Sequence, residues 1–214
     1  MTTSPSGRGR TPNRRGEGSR LRDEIIDAAT SLLEQTGSDD AVTLRAVARQ
    51  VGIAAPSIYA HFPDATSIVS TVVHRTFERF TLALTEAGDG VTDPVERLYA
   101  LGYGYLRFAG EHPELYRVLF ARAPGASHPH HETRTPPESH ETVGAGAFGV
   151  LVHAIQACVD AGRSVSTDPV LDAIALWSAL HGYSGLRNAV PQFPWPDATA
   201  TLHAMVDSQA RLVR

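Results

Sequence analysis

The sequence predicts an all-α protein, with an N-terminal three-helix unit and a larger C-terminal helical body. Three observations lead there. Apolar residues recur at three- and four-residue spacing in one stretch after another from Leu21 to Leu212, the period of a buried helical face. The breaks between stretches carry helix punctuation: a Thr or Asp cap, a proline just after it, or a glycine where the period ends. No stretch reads as strand. With 214 residues, 42% of them hydrophobic, the chain can bury a real core in one large or two modest domains.

Residues 1–18, MTTSPSGRGRTPNRRGEG, have no apolar period and are rich in Gly, Pro, Ser and Arg, which predicts a disordered arm. The net charge of −4 is unevenly spread. Residues 1–22 hold six arginines against Glu17, so they carry +5 and the rest of the chain −9. The chain has no lysine, so every cationic side chain besides histidine is a guanidinium, the group whose planar fork suits phosphate. No seven-residue apolar core follows the arginines, so no secretory signal is expected. The longest near-apolar run, Val143 to Val152, is ten residues, too short to span a bilayer, and no membrane partner is expected. The single Cys158 has no intrachain partner, which fits a reducing cytoplasm, and it reads as packing within a helix.

From Arg20 to Gln35, the residues Leu21, Ile25, Ala28, Ala29, Leu32 and Leu33 mark an amphipathic first helix that Gly37 ends. The stretch TLRAVARQVGIAAPSIYAHF, Thr43 to Phe62, then holds two short helical patterns. Leu44, Val47, Ala48 and Val51 form one face, Thr43 supplies the cap and Gly52 the left-handed stop. Small Ala48 lets the neighbouring helix cross closely. Pro56 suits the first turn of the second helix, Ile58 and Phe62 face inward, and Pro63 ends it. Two helices joined by so short a turn make a helix-turn-helix, whose second helix can enter a major groove. Its outward residues Ala55, Ser57, Tyr59, Ala60 and His61 combine short groups that allow close approach with donors for phosphates and base edges. A plain core hairpin is the competing reading of this spacing.

Asp64 opens a fourth helix whose apolar stripe runs through Ile68, Val69, Val72, Val73, Phe77, Phe80 and Leu84. From 64 to 85 it is roughly 30 Å long, enough to join a small head to a body and to transmit between them. After the break at Gly88-Asp89-Gly90, Asp93-Pro94-Val95-Glu96 starts a fifth helix, to about Ala109, and a sixth runs from Pro113 to about Ala121. A proline-containing loop follows, Arg122 to Glu141. The remaining helices are expected at about Thr142 to Ala161, from Asp168-Pro169 to about Ala189, and from about Asp197 to Leu212. The domains expected are the arm at 1–18, the helix-turn-helix unit at 19–66 and the body at 67–214.

The run VTLRAVARQVGIAAPSIYAHFPDATSIV resembles the N-terminal domain of the TetR family of transcriptional repressors over about residues 20 to 70, most specifically in the turn glycine followed by IAAPSIYAHFPD and in Tyr59-x-His61-Phe62. Trp177-Ser-Ala-Leu-His181-Gly182 resembles, less specifically, the Trp and His-Gly signature of one group of C-terminal domains in that family. The resemblance implies double-stranded operator DNA as partner, a small-molecule effector, and a homodimer through the last two helices. The chain departs from the family at Ala54, often Ser or Thr there, at Ala60, often bulky or basic, and at Ala65, often Lys. An uncapped Ala54 costs the second helix about 1 kcal/mol. The reading head is thus poor in charge, which moves weight onto the arm. Arg10, Arg14 and Arg15 either track phosphates and enter a minor groove, or belong to a solvated tail.

Signals of other chemistry are weak. Gly144-Ala-Gly146-Ala-Phe-Gly149 matches the dinucleotide fingerprint in letters, but a proline-rich loop precedes it where a strand is required, so it reads as close helix packing. No Glu-x-x-His pair occurs for a di-iron bundle, and Gly182-Tyr-Ser184-Gly185 is one residue short of a nucleophile elbow. No enzyme, cofactor or catalytic residue is expected. His128, His130, His131 and His140 lie beside Glu132, Glu138 and Glu141 in one loop, which leaves a metal sensor as an alternative, though no metal site is assigned.

The function expected is therefore a ligand-responsive repressor released from a palindromic operator by a small apolar molecule. Its alternative is a helical small-molecule-binding protein or metal sensor without operator binding. The DNA-binding candidates are Thr43, Arg45, Ala55, Pro56, Ser57, Tyr59 and His61. The ligand-binding candidates are Tyr103, Tyr105, Phe108, Phe120, Phe148, Val152, Trp177 and His181, expected around a cavity between the helices at 93–109, 113–121, 142–161 and 169–189. Packing at the core or dimer seam is the competing reading for the Trp177 and His181 pair. A stripe of small residues, Ala175, Ala179, Gly182 and Gly185, permits close helix approach at that seam.

Overall fold

A computed structural model describes residues 17–121 and 144–213. Its helices are α1 (Glu17–Thr36), α2 (Leu44–Val51), α3 (Ala65–Ala87), α4 (Pro94–Glu111), α5 (Pro113–Ala121), α6 (Ala145–Asp160), α7 (Pro169–Ala189) and α8 (Ala198–Gln209). Two 3₁₀ segments, Asp39–Ala41 and Ala55–Ala60, interrupt the head. Among the described residues the only β-pairing is an isolated bridge between Ser164 and Leu212. The His128 to His140 cluster and the loop that carries it lie outside the described residues.

Punctuation in the sequence fixes most boundaries. The Thr43 hydroxyl accepts from the Ala46 amide at 3.1 Å, and Gly52, at φ +75°, closes α2 by returning its amide to the Ala48 carbonyl. Asp64, Asp93, Asp168 and Asp197 each accept backbone amides of the first turn that follows, with proline directly after Asp93 and Asp168. The first helix is described from Glu17, ahead of Arg20, where the apolar period begins.

Two expected elements differ. The second helix of the turn motif is a 3₁₀ segment over Ala55–Ala60, not an α-helix. Ala54 has no side-chain acceptor for the free amides, so the Ser57 amide returns to the Ala54 carbonyl at 2.9 Å and the tighter winding satisfies the end. The last helix stops at Gln209 and not at Leu212. Arg211 takes φ +50°, turning the chain so that Leu212 pairs with Ser164, whose hydroxyl donates to the Ala210 carbonyl at 2.7 Å.

The head buries Ile25, Ile26, Ala29 and Leu33 of α1 against Val47 of α2 and Ile58 and Phe62 of the turn motif. α3 continues this core from Ile68 to Leu84 and so joins head to body. α4 lies at the centre of the body against α3, α6, α7 and α8. A Cβ on Gly104 would stand 2.8 Å from the Ala87 Cβ and 3.0 Å from the Ala83 carbonyl, so glycine there sets how closely α3 and α4 approach. The glycine-rich run near α6 is packing in part. Gly144, at φ +93°, lies against Phe77 and Gly146 against Thr81, while Gly149 faces open space.

Several contacts brace the head and tie it to its surroundings. Arg75 of α3 pairs with Asp23 and, at 3.6 Å, with Asp27 of α1. The Arg22 guanidinium lies 4.8 Å over the Phe62 ring. Arg117 of α5 donates to the Gly37 carbonyl at the end of α1.

Candidate functional site

The turn motif presents a single exposed face. In 3₁₀ winding every third residue stacks, so Ala55, Ile58 and His61 form one ridge and Pro56 and Tyr59 another. Ile58 is fully buried and Ala55 packs against the core, with His61 half-buried beside them. Pro56, Ser57 and Tyr59 point outward, and Tyr59 is 61% exposed. Ala55, expected among the outward residues, is therefore mainly a support.

Thr43, Arg45 and Arg49 are exposed on α2 next to this face. The Thr43 oxygen already accepts from Ala46, which leaves its O–H free to donate outward. No Asp or Glu occurs from Ala41 to Pro63. The face is thus positive by its arginines, flat enough for close approach and braced from below by Ile58, Phe62 and Arg22. It supplies donors for anions and nothing that would repel them.

In the body, the structure separates the ligand candidates. A cavity of about 700 Å³ opens between α5 and α7, with Tyr116, Arg117, Phe120, His181, Arg187 and Asn188 in its wall. Only Phe120 and His181 of the predicted set line it. Trp177 and Phe148 lie behind Phe120, with ring centroids 6.1 Å from Phe120 to Trp177 and 5.4 Å from Phe148 to Trp177. Val152 is packed against the core from α6. Tyr105 and Phe108 are buried, with the Phe80 ring 5.0 and 5.1 Å from theirs.

Tyr103 faces the other side of α4, where its hydroxyl meets His203 of α8 at 3.1 Å beside a smaller cavity of about 350 Å³. It sits two residues before Tyr105, hence on the opposite face of the helix. Apolar periodicity marks all these aromatics alike and does not separate lining from core. In the polar wall, Arg117 and Arg187 had one sequence signal, a charged residue in a largely apolar helix, and the uncharged Asn188 had none.

The hydrogen bonds behind the wall run as a chain. Trp177 Nε1 donates to the Tyr105 hydroxyl at 3.1 Å, the Tyr105 and Tyr116 hydroxyls are 2.7 Å apart, and Tyr116 Oη is 2.7 Å from His181 Nδ1. Burial pushes both phenols above their ordinary range and holds His181 below its ordinary value.

The outer face of α7 and the segment after it carry exposed Leu171, Ile174, Leu186, Val190 and Phe193. Gly182 opens onto empty space between them, while Gly185 lines the cavity between α5 and α7. No helix among the described residues is long and apolar enough to cross a membrane.

Comparison with known proteins bears on both halves. Residues 25–70 match the family model described as bacterial regulatory proteins, tetR family, and residues 98–209 match that of the tetracyclin repressor-like C-terminal domain. The nucleoid occlusion factor SlmA of Vibrio campbellii (strain ATCC BAA-1116) is 28% identical over 102 residues, 48% of this chain and 52% of that protein. The chain thus spans about half the length of the curated relatives it matches. Among solved structures, a protein of unknown function from Rhodococcus sp. RHA1 is similar over 91% of this chain and 96% of its own, at 25% identity and a TM-score of 0.74. A TetR-like transcriptional regulator from the same organism shares the fold over 94% and 96% of the two chains, at 22% identity and a TM-score of 0.60.

Proposed function

The chain belongs to the tetR family of bacterial regulatory proteins, and from that premise we propose that it is a ligand-responsive repressor, acting in the cytoplasm, that a small, largely apolar molecule releases from a palindromic operator. The observation that carries this reading is the exposed, acid-free face from Thr43 to His61, held on a buried brace. Tyr59 and His61 fix register on phosphates, and Thr43 adds a phosphate contact at the N-terminus of α2. Ser57 and Arg45 reach base edges, and Pro56 and Ala55 keep the backbone close to the groove.

Two copies are needed for an operator of two half-sites about 34 Å apart. The apolar residues exposed on α7, with open space over Gly182, support a homodimer in which α7 and α8 pair with their copies. The effector occupies the cavity between α5 and α7, with Phe120 and His181 in contact and Phe148, Val152, Trp177, Tyr105 and Phe108 behind them. Tyr103 belongs to the neighbouring, smaller cavity.

Release requires that the effector bind a non-reading arrangement of the heads better than the reading one; a coupling of ~1–3 kcal/mol is typical. α3 carries the change by its continuous core. α5 adds a shorter route, because Arg117 in the cavity wall also holds the Gly37 carbonyl at the end of α1. The test is selection of random genomic fragments by the full-length protein. An inverted repeat should emerge, and uniform, sequence-independent recovery would overturn the repressor reading.

A further inference from the structure

The chain of hydrogen bonds behind the cavity has one consistent direction, and the direction decides what the cavity offers. An indole N–H can only donate, so the Tyr105 oxygen accepts from Trp177. Tyr105 is buried, and the Tyr116 oxygen is the acceptor within reach of its proton. Tyr116 then has its own proton to give, and His181 Nδ1 stands 2.7 Å away to receive it. A ring nitrogen that accepts carries no proton, so in the neutral imidazole the proton sits on Nε2. His181 lines the cavity.

The remaining wall is cationic and apolar. Glu114 is compensated by Arg117 at 3.0 Å. Arg187 spends one N–H on the Tyr183 hydroxyl at 2.9 Å, and among the described residues no carboxylate pairs with it. Phe120, Pro113, Ala121 and Pro191 are among the cavity's apolar lining, and Asn188 adds a side-chain amide that donates to the Ala109 carbonyl at 3.2 Å. Resting on the repressor reading above, we propose that the effector is an amphipathic organic carboxylate, its head bound by His181 Nε2–H and the Arg187 guanidinium and its apolar body against Phe120. Trp177, Tyr105 and Tyr116 are positioning residues that hold His181 in the donating tautomer. The two phenols stay protonated and the imidazole neutral because burial disfavours their charged forms.

The experiment is calorimetric titration of the full-length protein with octanoate and with octan-1-ol, which share the apolar body and differ in the head. Octanoate is expected to bind at least about tenfold more tightly than the alcohol, and His181→Leu or Arg187→Met to remove that preference. His181→Asn, which keeps an N–H donor, should retain it. Tyr116→Phe should weaken octanoate binding and also shift the His181 ring ¹⁵N resonances, assigned by their loss in His181→Asn, away from the Nε2–H tautomer pattern. A purely structural Tyr116 would leave those resonances where they are. Equal binding of acid and alcohol, no binding of octanoate by protein that still selects an operator, or full binding by His181→Leu and Arg187→Met would each overturn this inference while leaving the repressor reading standing. Loss of operator selection by the unmodified protein would instead overturn the reading beneath it.

Discussion

Replacing Gly37 by Ala should destabilise the protein through two separable causes. Gly37 sits at φ +60°, a left-handed conformation that costs an L-residue with a Cβ about 1–2 kcal/mol. A Cβ there would also lie 2.9 Å from the Glu114 carboxyl carbon and closer still to the Glu114 oxygen and the Arg117 guanidinium. Both side chains must move, and the Arg117 hydrogen bond to the Gly37 carbonyl is lost. A bond from a charged donor is worth about 1.5–3 kcal/mol when shielded. With the Arg117 side chain 60% exposed, solvent screening reduces it to about 1 kcal/mol. The sum is about 2–3 kcal/mol, and for a chain of this length each kcal/mol moves the melting temperature by about 2–4 °C, so a fall of about 5–10 °C is expected. Arg117→Met removes only the bond and should lower Tm by about 2–4 °C. Circular dichroism melts of both variants and of the double variant decide it, with the double variant close to Gly37→Ala alone because the two share one contact. A Gly37→Ala protein that melts with the wild type, or no lower than Arg117→Met, would refute the argument.

The remaining predictions use other parts of the chain. Ala54→Ser adds the missing cap to the 3₁₀ segment and should tighten operator binding or raise stability by about 1 kcal/mol; anisotropy on the selected operator and a thermal melt would both have to stay flat to contradict it. Tyr59→Ala should weaken operator binding by at least about 1 kcal/mol with an unchanged melt, since the ring is exposed and supports no core. Cys158 is buried, its thiol donates to the Pro94 carbonyl at 3.3 Å, and burial pushes its pKa up to about 11, so a disulfide reagent at pH 8 should label it only after urea unfolding. The amides of Ser67 and Glu96 hold the Asp64 and Asp93 carboxyls below their ordinary value. A carboxyl depressed in the folded state contributes stability above its unfolded pKa and loses it as pH falls through the folded one. Tm should therefore drop below about pH 4, and the Asp64→Asn/Asp93→Asn double variant, which keeps capping acceptors, should show a shallower drop.

The sequence alone determined what is local. Caps such as Thr43 and Asp93, stops such as Gly52 and the 3.6-residue apolar period depend on neighbours within one turn, so the eight α-helices among the described residues and the outward face of Tyr59 were legible without a fold. Tertiary structure decided what depends on distant partners. The two-residue spacing of Tyr103 and Tyr105 sets them on opposite faces of α4, yet only the packing of α4 between α5 and α8 decides that one meets His203 and the other Tyr116. The same holds for Gly37 and Arg117, 80 residues apart, and for the proton on His181, which is set by hydrogen bonds running through α4, α5 and α7. Periodicity records that a side chain is buried; which side chain it meets there is fixed by how the helices cross.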